Sequence, residues 1–332
     1  MNNNDNHTGD KPVDVIVIGG GPAGLNGALM LGRSRRSVVV IDSGHPRNAP
    51  ATGIHGLLGR EGMPPAELVR LGREEVRSYG GELIDGEVVA AVRDGDLFAV
   101  TQADGRTIHG RRLLVTTGLV DRLPDVEGLA ERWGHEVIHC PYCHGWEFRD
   151  RLIGILRTGP GSMHHALLFR QLSDRVVFFT NGAEMEAEHL EELEARNIKV
   201  VNGVVTAVVE DGGSMTGLRL DDGRVEACEV VAVLTRMEAR AAFLAQLGLV
   251  AEEHPSGNGE YIPADGSGKT AIPGVWVAGN VTDLMAQVGT SAAAGALAGA
   301  RINADLAEEE TRQAVAEYRA RKEQPVGGRL LS

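Results

Sequence analysis

A glycine-rich turn between a strand and a helix, close to the start of the chain, constrains the fold most. The sequence predicts a short buried strand over residues 13–18, followed by the turn Gly19-Gly-Gly-Pro-Ala-Gly24. A helix is expected over residues 22–32 and a second strand over residues 37–42. This order of elements within about 30 residues is typical of a βαβ unit. It favours an α/β fold built on a parallel sheet.

The same order of elements recurs from residue 151. We expect a strand over residues 152–156, a turn at Gly159 and Gly161, a helix over 163–172 and a strand over 175–180. A later strand at 275–278 and a helix rich in small residues at about 291–304 have no βαβ partner nearby. They are expected to complete the first sheet. The predicted architecture is therefore α/β with two Rossmann-like dinucleotide-binding domains, the first of them discontinuous and interrupted by the second, smaller one.

The predicted domain limits follow from this arrangement. The discontinuous domain comprises residues 13–121 and 245–322, and the inserted domain comprises residues 122–244. Residues 1–12 are expected to be a disordered tail, and residues 323–332 a second tail. Residues 306–322 are expected to form a separate, charged amphipathic helix.

Composition narrows the class of protein. The 332 residues include 33 Lys and Arg against 46 Asp and Glu, a net charge of −13 that opposes non-specific binding to nucleic acid or anionic lipid. No apolar run reaches the roughly 20 residues of a membrane span, and the polar first residues do not have the pattern of a secretory signal. Three cysteines are too few for a disulfide framework, so a cytoplasmic protein is expected.

The first glycine turn has the features of a dinucleotide site. Its glycines fit G-x-G-x-x-G, and Asp42 ends the next strand, where a carboxylate accepts a hydrogen bond from a ribose hydroxyl. Two later strand ends lie at residues 114–118 and 277–280. Together with the first glycine turn they resemble the three separated signatures of flavoproteins with two dinucleotide domains. This resemblance makes FAD the expected ligand. The predicted cofactor contacts are Gly19, Gly21, Pro22, Ala23, Gly24, Asp42, Thr117, Gly118, Gly279, Asn280, Gln287 and Val288.

The segment His139-Cys-Pro-Tyr-Cys-His144 indicates redox chemistry. Two residues between Cys140 and Cys143 permit a reversible disulfide, and this spacing lowers a thiol pKa. The flanking imidazoles suit proton transfer near neutral pH, although His139 is more readily explained as structural. Half of a zinc site is an alternative, but no second ligand pair with zinc-site spacing follows, so no metal is expected. Cys228 stands alone in an apolar stretch and is expected to be buried.

Together these motifs resemble low-molecular-weight thioredoxin reductase. The resemblance covers residues 13–305 and rests on the order of the segments: an FAD turn first, a CxxC motif near residue 140 inside a second Rossmann-like unit, and a return to the FAD domain. It implies a homodimer, FAD on the first glycine turn, and a Cys140–Cys143 pair that exchanges electrons with the isoalloxazine. It also implies that Cys143 lies next to the flavin and that Cys140 meets the substrate.

The second glycine turn departs from the family pattern. His164 stands where the family has a small residue, and its ring is expected to hinder helix–strand packing or to crowd a pyrophosphate. The arginines that clamp the 2′-phosphate of NADPH are replaced by Thr180-Asn-Gly-Ala-Glu184. His144 replaces an acid after the second cysteine, and Asn280 replaces an aspartate that holds the flavin ribityl chain. The sequence thus predicts an NADPH-type fold without tight NADPH binding.

These departures are similar to those of the FAD-dependent dithiol oxidases found beside disulfide natural products of the holomycin and gliotoxin type. The resemblance implies an enzyme of antibiotic biosynthesis that closes the disulfide of a small dithiol and gives electrons to O2, forming H2O2. Cys140, Cys143 and His144 are the predicted catalytic residues, and the rings of Tyr142 and Trp146 are candidates for packing on substrate or in the core. A thioredoxin reductase fed by NAD(P)H or ferredoxin, and a non-enzymatic flavin redox sensor, stay open as alternatives.

Overall fold

The computed structural model of the protein describes residues 11–323. Of the tails predicted for residues 1–12 and 323–332, residues 1–10 and 324–332 lie outside the described residues. The first half contains, in chain order, β1 (Val13–Ile18), α1 (Pro22–Arg33), β2 (Val38–Asp42), α2 (Pro65–Ser78), β3 (Glu82–Asp85), β4 (Val88–Asp94), β5 (Leu97–Gln102), β6 (Thr107–Val115), β7 (Leu119–Arg122), β8 (Val137–Ile138), α3 (Pro141–His144), β9 (Ile153–Leu156) and α4 (Ser162–Phe169). The second half contains β10 (Val176–Phe179), α5 (Ala187–Ala195), β11 (Lys199–Val201), β12 (Val205–Asp211), β13 (Ser214–Leu220), β14 (Val225–Ala227), β15 (Val230–Val233), β16 (Arg236–Ala239), β17 (Glu252–Glu253), β18 (Glu260–Tyr261), β19 (Val275–Val277) and α6 (Val288–Glu323).

The first sheet has the order β3-β2-β1-β6-β5-β4, and β19 pairs with the last residues of β6. Strands β3, β2, β1, β6 and β19 are parallel to their neighbours, whereas β4, β5 and the start of β6 form an antiparallel meander. The dipeptide Asp-Gly is typical of hairpin turns, and the meander turns at two of them, Asp94-Gly95 and Asp104-Gly105. The pairing of β19 with β6 confirms that a late segment of the chain completes the first sheet. A discontinuous first unit follows from this topology.

Helix α6 packs against α1 on one face of that sheet. A methyl group at Gly299 would lie 2.7 Å from the carbonyl oxygen of Gly27, and one at Gly295 would collide with the carbonyl oxygen of Ala23. The two helix backbones are therefore nearly in contact. The expectation of two separate C-terminal helices is wrong, because α6 is continuous over 36 residues. Neither glycine nor proline interrupts it after Gly299, and its Glu309 and Glu310 pair with Arg111 of β6.

The second sheet is entirely parallel, in the order β11-β10-β9-β15-β8. All four residues of β9, of β10 and of β15 are buried, as expected for a sheet covered on both faces. Helix α4 connects β9 to β10, which confirms the second βαβ unit. The antiparallel strands β12, β13 and β14 form a small separate sheet beside it.

The chain passes between the two units twice, and both passages lie in one two-stranded ribbon. Strand β7 pairs antiparallel with β16, so that the Cα of Arg122 faces that of Arg236 and the Cα of Leu119 faces that of Ala239. We keep as a proposal the domain limits 13–121, 122–244 and 245–322. With these limits, the chain crosses from one unit to the other at or near this ribbon. Within residues 11–323, no helix is both long and apolar enough to span a bilayer.

Candidate active site

The first glycine turn is packed tightly at its base. Gly19 has a φ of +105°, a left-handed conformation that favours glycine, and a methyl group there would lie 2.5 Å from the carbonyl oxygen of Thr116. A methyl group at Gly24 would collide with the carbonyl oxygen of Gly19. The hydroxyl of Thr116 donates to the carbonyl oxygens of Ile18 and Gly19, at 3.0 and 2.8 Å. These contacts fix the path of the backbone from β1 into α1.

The rim of the same turn is open. A methyl group at Gly21 would meet no protein atom within 4 Å, although Gly21 directly precedes the N-terminus of α1. Beside it, Asp42 at the end of β2 accepts a hydrogen bond from the backbone N–H of Gly20 at 2.9 Å. Arg73 of α2, which the sequence analysis did not identify, lies 3.8 Å from the second carboxylate oxygen of Asp42. A dinucleotide pyrophosphate fits this combination of a free helix N-terminus and glycines without side chains.

A cavity of about 1140 Å³ extends from the glycine turn to the cysteine pair. Of the twelve predicted cofactor contacts, all but Gly24 line it; Gly24 packs beneath the turn instead. The contacts from the end of the chain are therefore brought to the first turn as predicted. The lining also includes Cys140, Cys143 and His144, which places the predicted redox centre in the same space as the predicted cofactor contacts.

The side chain of Asn280 is engaged with the protein itself. Its amide nitrogen donates to the backbone carbonyl oxygens of Asp283, Leu284 and Ala286, at 3.0, 3.3 and 2.9 Å. Those bonds shape the turn that leads to Gln287 at the start of α6. The amide nitrogen of Gln287 in turn lies 4.0 Å from the sulfur of Cys140. Asn280 thus orders the loop that carries a neighbour of the cysteine pair.

Cys140 and Cys143 are free thiols in this structure and occupy opposite ends of the single-turn helix α3. The hydrogen bond from Cys143, together with the backbone N–H groups of Cys143 and Tyr142, lowers the pKa of Cys140 to about 7. The same hydrogen bond, burial and the charge on Cys140 raise the pKa of Cys143. The negative charge of the reduced pair therefore resides on Cys140, the residue at the N-terminus of the helix.

Three buried or half-buried histidines surround the motif in different roles. His144 lines the cavity, its Nε2 is buried without a hydrogen-bond partner, and burial lowers its pKa. His139 also lines the cavity, but its Nδ1 lies 3.1 Å from the carbonyl oxygen of Val233. His165, which the sequence analysis missed, donates from Nε2 to the carbonyl oxygen of His139, and burial lowers its pKa to about 4. His144 and His165 each have a buried ring nitrogen without a hydrogen-bond partner, and of these two residues only His144 lines the cavity.

Arg47 is a further residue at the site that the sequence analysis missed. It donates two hydrogen bonds to the carboxylate of Asp121, at 2.6 and 2.7 Å, and Thr235 donates a third at 2.6 Å. Burial alone raises the pKa of Asp121, but the hydrogen bonds and charge of Arg47 outweigh it, so this pKa lies below its ordinary value. No local pattern identifies a pair separated by 74 residues.

Aromatic side chains flank the cysteine pair on the outside. Tyr142 is 67% exposed and Trp146 is 65% exposed, which rules out the alternative that they pack in the core. The guanidinium carbon of Arg149 lies 4.4 Å from the centroid of the Trp146 ring. These rings are therefore available to a molecule that approaches the CxxC motif from solvent.

The second glycine turn is closed by its own chain. The buried hydroxyl oxygen of Ser162 accepts hydrogen bonds from the backbone N–H groups of Thr158 and Gly159, at 3.1 and 3.4 Å. The expectation that His164 obstructs helix–strand packing is wrong, because its side chain is exposed and the residue turned inward is His165. After β10, the side-chain oxygen of Asn181 accepts a hydrogen bond from the backbone N–H of Val205. Two backbone N–H groups of this turn and the side-chain oxygen of Asn181 are thus already bonded within the protein.

Comparison with known proteins agrees with the geometry. The family described as pyridine nucleotide-disulphide oxidoreductase matches residues 13–297. Thioredoxin reductase tcpT of Claviceps purpurea is 33% identical over 312 residues, which cover 89% of this chain and 94% of that protein. Thioredoxin reductase sirT of Leptosphaeria maculans is 31% identical, with 87% of this chain and 93% of that protein covered. Among solved structures, HlmI has a TM-score of 0.88 and 43% identity, with 95% and 98% coverage.

The match spans most of the chain and includes both the glycine turn and the CxxC motif. Members of the family that resemble thioredoxin reductase bind FAD, and the open cradle at Gly21 and the cavity that leads to Cys143 fit that cofactor. The chain therefore belongs to the pyridine nucleotide-disulphide oxidoreductase family, as an FAD-binding oxidoreductase of the thioredoxin reductase-like type.

Proposed function

We propose that the protein is a dithiol oxidase that closes an intramolecular disulfide in a small dithiol and transfers the electrons to O2, forming H2O2. One observation carries the proposal. The redox cysteines share a cavity with the FAD cradle, whereas the second glycine turn, where a reductase takes its NADPH, is bonded to its own Ser162. The resemblance to dithiol oxidases of disulfide natural products supports the same reaction.

The first step is thiol–disulfide exchange at the oxidised Cys140–Cys143 pair. A substrate thiolate attacks the sulfur of Cys140, a substrate–Cys140 bond forms, and the Cys143 sulfur leaves. The second substrate thiolate then attacks the substrate sulfur of the mixed disulfide, and Cys140 leaves. A leaving thiol with a pKa of about 7 departs readily, so the hydrogen bonds around Cys140 favour closure of the product. Both substrate thiols belong to one molecule, which makes the closure intramolecular and fast.

His144 accepts a proton during this exchange. Each substrate thiol must lose its proton to become a nucleophile, and His144, which lines the cavity with both cysteines, has a buried Nε2 without a hydrogen-bond partner. Burial lowers the pKa of His144, which keeps its imidazole neutral and able to accept a proton near pH 7.

The enzyme then returns to its disulfide form. FAD, when bound, would supply a two-electron acceptor for the Cys140–Cys143 dithiol and a route for the electrons to O2. Gly19, Gly21 and Asp42 would hold it at one end of the cavity, and α3 holds the cysteines at the other. In total, one dithiol and one O2 give one disulfide and one H2O2, so that two electrons and two protons leave the substrate and reach oxygen.

The test is optical and begins without oxygen. The purified protein is mixed with dithiothreitol, and separately with NADPH, while the flavin band at about 450 nm is followed. Bleaching by the dithiol alone, with recovery and stoichiometric H2O2 when air is admitted, is the expected result. Rapid bleaching by NADPH would instead identify a reductase, and a single cycle without repeated turnover would identify a redox sensor.

Cysteine variants separate the redox pair from the remaining thiol. Cys140→Ser and Cys143→Ser are expected to retain FAD and to lose turnover, because neither can form the enzyme disulfide. Cys228→Ala is the matched control, since Cys228 is fully buried in the core of the inserted unit and burial raises the pKa of its thiol to about 12. Oxygen-dependent turnover by Cys143→Ser at the wild-type rate would contradict the mechanism.

A further inference from the structure

A long connection of the first unit reaches across to the inserted unit. It joins β2 to α2 and comprises residues 43–64, which we call the arm. Pro50 of the arm is so close to the inserted unit that a methyl group at Gly134 would lie 2.5 Å from its Cβ. His55 lies 3.6 Å from the carboxylate of Glu147, just after the CxxC motif. Arg47 and Pro50 of the arm and Gly134 of the inserted unit all line the cavity, so the arm contacts the inserted unit along the cavity wall.

The strongest of these contacts falls on the ribbon through which the chain passes. Asp121 is on β7, and Thr235 directly precedes β16. Arg47 of the arm and Thr235 both donate hydrogen bonds to the carboxylate of Asp121. The Asp121 side chain is 6% exposed and that of Arg47 is 26% exposed. Removing one member of such a pair leaves a buried charge without a partner. By the proposed limits Asp121 is the last residue of the first unit and Thr235 belongs to the inserted unit. A rotation of the inserted unit therefore breaks the bond from Thr235 to Asp121, and a rotation that also turns the ribbon carries Asp121 away from Arg47 and meets this cost.

We propose that the Arg47–Asp121 pair is a latch that keeps the CxxC motif facing the FAD cradle. Arg47 and Asp121 are then positioning residues: both line the cavity, but their side chains bond each other and Thr235 and not the cysteines, and they act by fixing the orientation of α3. The inference deepens the proposed function, because an oxidase that takes electrons at Cys140 and delivers them within one cavity has no step that requires the units to separate.

The latch is tested by alkylation of the reduced, FAD-loaded protein with iodoacetamide at fixed pH, with mass spectrometry of each cysteine. Arg47→Gln and Asp121→Asn each break the bidentate pair without changing the size of the side chain much. Both are expected to speed alkylation of Cys140 and Cys143 about tenfold, because the motif is exposed when the units separate. Cys228 is an internal standard: if it stays unreactive and FAD stays bound, the units have moved apart without unfolding.

Arg122→Gln is the matched control. Arg122 follows Asp121 on β7, and its ion pair with Glu238, at 2.7 Å, is solvent-exposed and lies within the ribbon. This variant is expected to leave the alkylation rates as in the wild type.

Two outcomes would overturn the latch. Opposite effects of Arg47→Gln and Asp121→Asn would mean that the pair acts only through its charges, since losing a cation lowers the thiolate fraction and losing an anion raises it. Unchanged rates in both variants would mean that other contacts hold the units. The alkylation experiment does not involve turnover. Its result can therefore contradict the latch without contradicting the dithiol oxidase proposal, and the flavin experiment can contradict the oxidase proposal without contradicting the latch.

Discussion

At the scale of single residues, the glycines of the first turn have two different tasks. Gly24 is needed because the protein itself fills the space where its side chain would be, against the carbonyl oxygen of Gly19. A methyl group at Gly21 would meet no protein atom within 4 Å apart from those of its chain neighbours, so the packing of the protein does not require a glycine there. Its backbone angles, φ −75° and ψ −175°, are also accessible to any residue. Packing explains the first glycine and ligand binding explains the second.

This difference predicts a contrast between two alanine variants. Gly24→Ala is expected to lower the free energy of unfolding by about 1–3 kcal/mol, because the methyl group forces the turn and α1 apart. Gly21→Ala is expected to change it by less than about 1 kcal/mol while weakening FAD binding, because the methyl group enters the cradle. Urea unfolding of the apoprotein and titration with FAD measure the two effects. Equal loss of stability in both variants would contradict this assignment.

The charge on Cys140 predicts a pH dependence. Its folded-state pKa is lowered, so the thiolate is present above about pH 7 and is lost as the pH falls through that value. Cys143→Ala removes the hydrogen bond that lowers the pKa of Cys140 most, and is expected to move the midpoint upward toward that of an ordinary thiol. The alkylation rate of Cys140 as a function of pH measures the midpoint. If it stays near 7, the backbone N–H groups of α3 alone set this pKa.

At the scale of elements, the contact between α1 and α6 joins the two ends of the chain. Gly27, Gly295 and Gly299 allow the helix backbones to approach closely, and the start of α6 supplies Val288 to the cavity. The register of α6 on α1 therefore sets where the last cofactor contacts lie. Its distal half is held to the first sheet by ion pairs from Arg36, Arg111 and Arg112.

Gly299→Ala is expected to destabilise the protein by about 1–3 kcal/mol, despite the higher helix propensity of alanine, because its methyl group would press on the carbonyl oxygen of Gly27. Gly289→Ala in the same helix is the control, since its methyl group would come no closer than 3.7 Å to Leu57. Thermal unfolding compares the two. A stabilising effect of Gly299→Ala would show that the helices can move apart without loss.

The elements that the sequence predicts correctly are those with strong local patterns. The strands of both βαβ units, the first glycine turn and the two Asp-Gly hairpins are marked by apolar runs and turn residues that lie close together in the chain. The two helices predicted after residue 290 form one continuous helix. The change from Ala and Gly to charged residues makes the second half of α6 more exposed to solvent, but it does not interrupt the helical backbone. Arg47, Arg73 and His165 were missed because long-range packing brings them to the site.

At the scale of the whole molecule, the active site exists only while the two units keep one arrangement. The FAD cradle belongs to the first sheet, the cysteines belong to α3 of the inserted unit, and Gln287 touches Cys140 from the start of α6. The proposed oxidase cycle keeps all of these in one cavity. The mutual position of the units is thus expected to be the same in the oxidised and the reduced protein.

Small-angle X-ray scattering of the oxidised protein and of the dithiothreitol-reduced protein under nitrogen tests this expectation. The two scattering profiles should superimpose, since the contacts of the arm and the Arg47–Asp121 pair involve no redox group. A reduction-dependent change in the radius of gyration would show instead that the inserted unit reorients during the cycle.

The ribbon of β7 and β16 has a consequence for how such a protein can be altered. Because the chain leaves the first unit beside the point where it returns, at Arg122 and Arg236, the inserted unit closes a loop whose two ends are already joined by strand pairing. Replacing that loop by another of similar end-to-end distance changes little in the entropy of the rest of the chain. The segment between Arg122 and Arg236 is therefore a suitable site for domain exchange, in which another domain with its own reactive groups replaces the inserted unit beside the same flavin site.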